Sequence, residues 1–271
     1  MPGPAVTEAI CLTVQKFSET SKIAILYTRA WGRISVIAKG AYRPKSQFWG
    51  HLDPLSVAEC VIYKKPTERL QLLSSCRAIA PWTGLTGSLT RAAFGFAVGE
   101  FLYRHTYEEN DPELFGLACN TLQSISRLPE RLTARQFWGF MLGAVGCLGF
   151  RPEFDVCDGC GRKPAADQRV VFDAIAGKII CRQCRREGGR PHVLSPEALN
   201  ELIKRQRQPI LDPNGAELTP AALEEIAASI EDFTVYHLGG SRLRSLGFAR
   251  RVGSVEQVNQ RESKKTDEME A

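Results

Sequence analysis

The sequence predicts a multi-domain α+β chain on three observations. Apolar residues alternate with period two over the first eighty or so positions, a helical period begins near Leu85, and two C-x-x-C pairs lie between helical segments. With 271 residues, 44% hydrophobic and 24% charged, the chain has material for one large or two ordinary globular domains. It contains no run of about eighteen apolar residues, and positions 1–9 are not a basic segment followed by an apolar one. Neither a membrane span nor a secretory leader is therefore predicted, and the expected compartment is the cytoplasm. A net charge of +5 and a pI near 8.7 are compatible with nucleic acid as a partner without requiring it.

From Glu8 to about Ala80 the pattern is that of strands. Ile10, Leu12 and Val14 alternate with Cys11, Thr13 and Gln15; Ile23, Ile25 and Tyr27 repeat the spacing, as do Ile34, Val36 and Ala38 after Gly32. Val57 to Tyr63 and Leu70 to Ile79 complete five strands. So many short strands in about seventy residues suit a closed barrel of the OB-fold type, because closure removes exposed edges. The loop after the third strand, Lys39 to Trp49, interleaves Lys39, Arg43 and Lys45 with Tyr42, Phe48 and Trp49. Phosphate neutralisation with base stacking uses that combination, and so does a solvated hairpin tip whose aromatics cover the barrel mouth.

A helix is predicted from Leu85 to about His105, with Ala92, Ala93, Phe96, Ala97, Phe101 and Leu102 on its apolar face. Asp111-Pro112 reads as an N-cap with proline at the first helical position, and Thr133 to Gln136 as a capping box before a helix from Phe137 to Leu148 that Gly149 closes. Ser195-Pro196 and Thr219-Pro220 repeat the cap-then-proline start, and Gly239-Gly240 ends the last helix. The expected division is a barrel over 1–80, a helical domain over 81–150 and 192–251, an inserted hairpin over 151–191 and a disordered tail over 252–271.

The hairpin holds Cys157, Cys160, Cys181 and Cys184, the spacing of a closed tetrahedral zinc site. Gly159 and Gly161 permit a tight knuckle, and Gly177 marks a turn between strands built from Val170, Val171, Phe172, Ile179 and Ile180. Four thiolates leave no position for an activated water, so one structural zinc is predicted rather than a catalytic one; the bland alternative is two redox dithiols or four buried thiols. Cys11, Cys60, Cys76, Cys119 and Cys147 are scattered singly, as buried free thiols are.

Two basic segments stand out. Residues 151–190 carry nine Arg and Lys side chains, which compensation of a site charge near −2 explains in part. Arg242, Arg244, Arg250 and Arg251 follow the last helix as a possible secondary basic surface; they can bind phosphate, cap helix carbonyls or remain solvated. No phosphate-binding G-x-x-x-x-G-K-[ST] loop, H-E-x-x-H, G-x-S-x-G or strand-to-helix G-x-G-x-x-G occurs. No catalytic residue and no nucleotide cofactor are therefore assigned, and the chain is not expected to be an enzyme.

The order of parts resembles the bacterial DNA repair and recombination mediator family RecO. The resemblance is carried by Glu8-Ala-Ile, Phe17-Ser-Glu-Thr20, Gly32-Arg33-Ile34, Ala38-Lys39-Gly40-Ala41, Lys45-Ser46 and Leu52-Asp-Pro54, then by Glu113-Leu-Phe115, Leu142-Gly143, Gly149-Phe150-Arg151-Pro152 and Cys157-Asp-Gly-Cys160-Gly161. It spans roughly residues 7 to 250. It implies binding to single- and double-stranded DNA, strand annealing without nucleotide hydrolysis, and action with RecR and the single-strand binding protein SSB that lets RecA load on coated strands. It also implies Lys39, Arg43 and Lys45 as phosphate partners, with Arg33 beside them and Tyr42 and Trp49 as stacking residues. Tyr42 and Gln47 stand where many members are basic, which lowers the expected DNA affinity. The family does not keep zinc throughout, yet all four cysteines are present here. The rival readings are a zinc-stabilised adaptor between proteins, which would show no salt-dependent DNA binding, and an OB-fold RNA binder, which would prefer ribose.

Overall fold

A computed structural model of the chain describes residues 3–65, 67–80, 83–185, 192–212 and 217–252. The chain divides into two units. One comprises residues 1–110, 125–130 and 243–271, and the other residues 111–124 and 131–242.

In the first unit, β1 (Ala5–Lys16), β2 (Lys22–Thr28), β3 (Gly32–Ala38), β4 (Val57–Tyr63) and β5 (Leu70–Ala80) close into a barrel of order β1-β2-β3-β5-β4. All neighbours run antiparallel except β3 and β5, which are parallel from Ser35↔Leu70 to Ala38↔Leu73. This is the OB-fold topology the five-strand pattern predicts. On β3 the alternating Ile34, Val36 and Ala38 face the core as expected, whereas on β1 and β2 the inward face differs from the branched residues that alternate most visibly in the sequence. On β1 the barrel core takes Ala9 and Cys11, a bulge between Cys11 and Thr13 shifts the phase, and Val14 turns to the core. On β2 the core takes Ala24 and Leu26, which pair with Val36 and Ile34 of β3. Ile10, Leu12 and Tyr27 are buried as well, on alternate positions facing away from that core. Small side chains at Ala9, Cys11, Ala24 and Ala38 leave room inside the barrel for Leu26, Ile34, Ile62 and Leu73.

That outer layer includes α2 (Leu89–His105), preceded by the single turn α1 (Thr83–Thr86). Ser88 caps α2, its Oγ accepting from Arg91 N–H at 3.2 Å. Gly95 and Gly99 let α2 approach Leu55, since a Cβ at either would stand 3.1 or 2.9 Å from a Leu55 methyl. Leu55 is itself held at φ +67. Phe96 departs from the predicted apolar face: it is 47% exposed, while Ala93, Ala97, Phe101 and Leu102 of that face are buried. A further helix at 244–252, not expected from sequence, begins where Glu100 accepts the N–H groups of Arg244 (3.0 Å) and Ser245 (2.8 Å). An interhelical carboxylate thus does the work of a local cap.

The second unit is built from α3 (Pro112–Arg127, its last turn shared with the first unit), α4 (Thr133–Cys147), α5 (Pro196–Arg207) and α6 (Pro220–Leu238). Three predicted starts are made as expected. Asp111 Oδ1 accepts from Leu114 N–H at 2.9 Å, Ser195 Oγ from Ala198 N–H at 3.2 Å and Thr219 Oγ1 from Ala222 N–H at 3.3 Å. The capping box at Thr133 does not form. A 3-10 turn at Glu130–Leu132 feeds directly into α4, and Gln136 is diverted: its Oε1 accepts from Leu211 N–H (2.8 Å) and Ser124 Oγ–H (3.1 Å). Gly149 ends α4 at φ +87 and Gly239 ends α6 at φ +73. A buried ion triad fastens α4 to α5, with Arg135 donating to both Glu201 oxygens at 2.7 Å and Arg205 3.0 Å from the same carboxylate.

Between α4 and α5 lies a small sheet of order β6-β8-β7-β9, from β6 (Glu153–Cys157), β7 (Val170–Asp173), β8 (Lys178–Cys181) and β9 (His192–Leu194). The expected hairpin is β7–β8; β6 and β9 flank it. Its turn is closed by Gly177 at φ +68 and by Asp173, whose Oδ1 accepts from Ile175 and Ala176 N–H. A Cβ on Gly177 would reach within 2.9 Å of the Phe233 ring, so close packing of the turn on α6 also requires glycine there. The expected tail beyond Ser254, with Arg186 and Arg190, lies outside the described residues.

Candidate functional site

Two places concentrate the residues that sequence reasoning singled out. The first is the loop from Lys39 to Ser56. It folds as consecutive turns, with Arg43 N–H bonded to Gly40 O, Ser46 N–H to Arg43 O and Trp49 N–H to Ser46 O. Lys45 sits at φ +62 and Gly40 and Gly50 at +75 and +71, so the chain reverses tightly at three points. Ala41, Phe48 and Leu52 turn inward and join the barrel core. The loop is also pinned to its surroundings. Tyr42 N–H donates to Thr20 O at 3.1 Å, and the Gln47 amide hydrogen-bonds Ser74 O on β5. Gln47 therefore anchors the loop to the barrel.

This divides the predicted aromatics. Phe48 is 3% exposed and belongs to the barrel plug, so of the two uses open to the loop aromatics it takes the covering one. Tyr42 (43%) and Trp49 (78%) face solvent. Lys39, Arg43 and Lys45 are exposed, and none makes an ion pair among the described residues. Lys22, which the sequence reading passed over, joins them: its Nζ lies 5.0 Å from the centre of the Tyr42 ring, and it pairs in register with Ala38, next to Lys39. The register of the β2–β3 hairpin was the signal that would have found it. Arg33 is not beside these residues. It stands at the opposite end of β3, about 20 Å away at roughly 3.3 Å per residue. There its Nε donates to Thr106 O at 2.7 Å, and its guanidinium lies over the Tyr103 and Tyr107 rings.

The second place is the cysteine cluster. Cys157 ends β6, and Gly161 N–H returns to Cys157 O at 2.8 Å to close a knuckle, with Gly161 at φ +69. Cys181 ends β8, and Cys184 N–H returns to Cys181 O at 3.1 Å. Gly159 must be glycine for a different reason, since a Cβ there would come within 2.7 Å of Cys184 Cβ. The four Sγ atoms all lie within 4.8 Å of one another. Sulfurs on a tetrahedral metal at about 2.3 Å stand about 3.8 Å apart, so small adjustments suffice and the cluster can hold a metal ion. Burial opposes a thiolate at Cys157, but N–H groups of Cys181, Cys160 and Gly159 outweigh it and bring its pKa to about 6; the Cys181 N–H lies 3.3 Å from its sulfur. Hydrogen bonds with Cys181 and Cys160 push Cys184 up to about 12, so of these two Cys157 is the first to lose its proton.

The remaining cysteines are not alike. Cys11, Cys60 and Cys76 lie in the barrel core, and burial pushes Cys60 up to about 12 and Cys76 to about 11, which leaves them unreactive. Cys119 and Cys147 are half-buried, short of the full burial expected of them. The C-terminal arginines are not brought together on one element. Arg242 is neutralised by Asp232 (2.7 Å) and Glu231 (3.4 Å) in the second unit, while Arg244, Arg250 and Arg251 lie on the helix 244–252 of the first. Among the described residues, no helix is long and apolar enough to cross a membrane.

Comparison with known proteins agrees with this layout. Residues 1–82 match the family model of the recombination protein O N-terminal domain, and residues 87–247 match that of its C-terminal domain. The DNA repair protein RecO of Rhodopirellula baltica is 34% identical over 209 residues, 76% of either chain. That of Anaeromyxobacter sp. strain K is 28% identical over 248 residues, 91% of this chain and 96% of its own. The Streptomyces coelicolor protein of the same name is 30% identical over 202 residues, 72% of this chain and 79% of its own. With a plugged five-stranded barrel, a helical body and four clustered cysteines in one chain, and both family models matched in order, the chain belongs to the RecO family.

Proposed function

We propose that this chain is a DNA repair and recombination mediator that binds single- and double-stranded DNA and anneals complementary strands without nucleotide hydrolysis. Together with RecR and SSB it helps RecA load on SSB-coated single strands, acting in the cytoplasm at the nucleoid. The observation that carries the reading is the loop after β3: cations at Lys39, Arg43 and Lys45 without ion-pair partners among the described residues, beside Tyr42 and Trp49, on a turn anchored to an OB barrel by Phe48 and Gln47. Each cation that meets a phosphate releases a condensed counterion, and each exposed ring offers a face to an unpaired base whatever its identity. Contacts of that kind hold a strand without reading its sequence, as annealing of arbitrary complements requires.

In this reading the barrel of residues 1–80 holds DNA. The helical body of residues 81–150 and 192–251 carries the hairpin of residues 151–191, and Cys157, Cys160, Cys181 and Cys184 hold one structural zinc. An all-sulfur donor set of four suits zinc, and a filled tetrahedron leaves the metal no place for substrate. Annealing of two complementary oligonucleotides, bare and SSB-coated, without ATP tests the function. The expected result is annealing well above the spontaneous rate on both. Failure to accelerate either, or acceleration only with ATP, would contradict it.

A further inference from the structure

We propose that the two cysteine knuckles present a second phosphate-binding face, which takes the backbone of a nucleic-acid strand. The inference rests on the reading of the chain as a DNA-binding protein and adds a site away from the barrel loop.

The observation is a division among the cations of the hairpin. Some are committed to carboxylates: Arg169 to Glu225 at 3.3 Å, and Lys178 to Asp158 at 2.8 Å. Asp155 is taken by Arg207 of α5 at 3.1 Å. Arg162, Lys163, Arg182 and Arg185 are different. All four are exposed, and none makes an ion pair among the described residues. They are also gathered by the fold. Arg162 and Lys163 leave the first knuckle, where Arg162 O accepts from Cys157 N–H at 2.9 Å; Arg182 and Arg185 flank the turn that carries Cys184. Because the four sulfurs lie within 4.8 Å of one another, residues 20 positions apart project their charges from one small platform.

Charge compensation does not exhaust these cations. Four thiolates around a divalent metal carry a charge of about −2, so four cations leave an excess of about +2 even after full compensation. Asp158 does not reduce that excess, because Lys178 already neutralises it. The surroundings favour phosphate over an acidic protein. Beside the cations stand Asp158, Gly159, Gly161 and Gln183, and the described residues of the two knuckles, 156–163 and 181–185, include no aromatic side chain to serve as the anchor that protein interfaces favour. Phosphate needs only the cations and a low surface. With one phosphate-binding surface in each unit of the chain, a single molecule has a place for each of two strands, which annealing demands.

The test uses the full chain with Arg162→Gln, Lys163→Gln, Arg182→Gln and Arg185→Gln together, and separately the pair Arg162→Gln with Lys163→Gln. Bound zinc and the salt dependence of single-strand binding are measured for both. At roughly 0.7 per contact, the fourfold variant should lose about 3 from the log-log salt slope and the pair about 1.4, with zinc near one equivalent in each. A slope equal to wild type in the zinc-loaded pair variant, while the barrel-loop variant loses slope, would overturn the second site and leave the barrel reading intact. Loss of zinc from the pair variant would show that these cations serve the thiolates, and would also overturn it. An unchanged DNA slope with lost retention on polyglutamate would assign the face to an acidic protein. Absence of salt-dependent binding in the wild-type chain would remove both readings together.

Discussion

Replacement of Phe48 by alanine separates the barrel plug from the surface it supports. Phe48 is 3% exposed and packs in the barrel core with Ala41 and Leu52, so the substitution opens a cavity at the mouth of a closed sheet. Phe→Ala in such a core costs about 3 to 5 kcal/mol, a large share of the roughly 5 to 15 kcal/mol that holds a domain. At about 4 to 8 °C per kcal/mol, the barrel should melt at least about 12 °C lower. Tyr42→Ala, at a side chain 43% exposed, should stay within about 0.5 kcal/mol of wild type. Function should divide the other way. Phe48→Ala releases the loop without removing a charge, so DNA affinity falls below the melting range while the salt slope persists. Tyr42→Ala costs about 1 to 3 kcal/mol of binding if a base stacks there. Hydrogen exchange of peptides from residues 5–80 in denaturant, paired with salt titrations, measures both effects. A stability loss for Phe48→Ala no larger than that for Tyr42→Ala would refute the plug.

Two further outcomes follow from the site geometry. Cys157→Ser should remove the metal and raise hydrogen exchange over residues 151–185 while leaving 8–80 protected, because the barrel core is complete without the hairpin; equal loss in both would show one cooperative unit. Glu100 predicts a pH dependence. Burial opposes its charge, but the N–H groups of Ser245 and Arg244 and the Arg104 guanidinium hold its carboxyl below the usual 4.5. A lowered folded value means that its contribution is complete above about 4.5 and disappears as pH falls through that folded value. The unfolding free energy of Glu100→Gln, from urea titration, should therefore lie below wild type by about 1 kcal/mol at neutral pH, and the gap should close in acid; a gap that widens in acid would contradict the assignment.

Much of the fold was legible because local chemistry decides it. The cap-then-proline pairs Ser195-Pro196 and Thr219-Pro220, the turn at Gly177 and the stop at Gly149 each need one specific backbone conformation, and the sequence names the residue that supplies it. The four-cysteine cluster was legible for the same reason, since two C-x-x-C turns converge without knowledge of the rest. What was hidden depends on contacts distant in sequence. Thr133 and Gln136 have the letters of a capping box, but Gln136 is claimed by Leu211, 75 residues away. Phe48 and Trp49 are adjacent aromatics in one loop, and only the barrel wall determines that the first turns inward. Arg33 and Lys39 look like neighbours along six residues, whereas an extended strand holds them at opposite ends. The inward face of β1 was obscured by the bulge after Cys11, which exchanges the two faces of a strand whose alternation otherwise looked regular.

In the proposed function the loop after β3 holds DNA through its phosphates. The most direct test is a salt titration of single-strand binding by wild type and by the variant carrying Lys39→Ala, Arg43→Ala and Lys45→Ala, measured at several ionic strengths with strands of different sequence. Three phosphate contacts at roughly 0.7 each should take about 2 from the log-log slope, equally for every sequence. An unchanged slope in a folded variant would contradict the account, because cations that release no counterions are not at the phosphates.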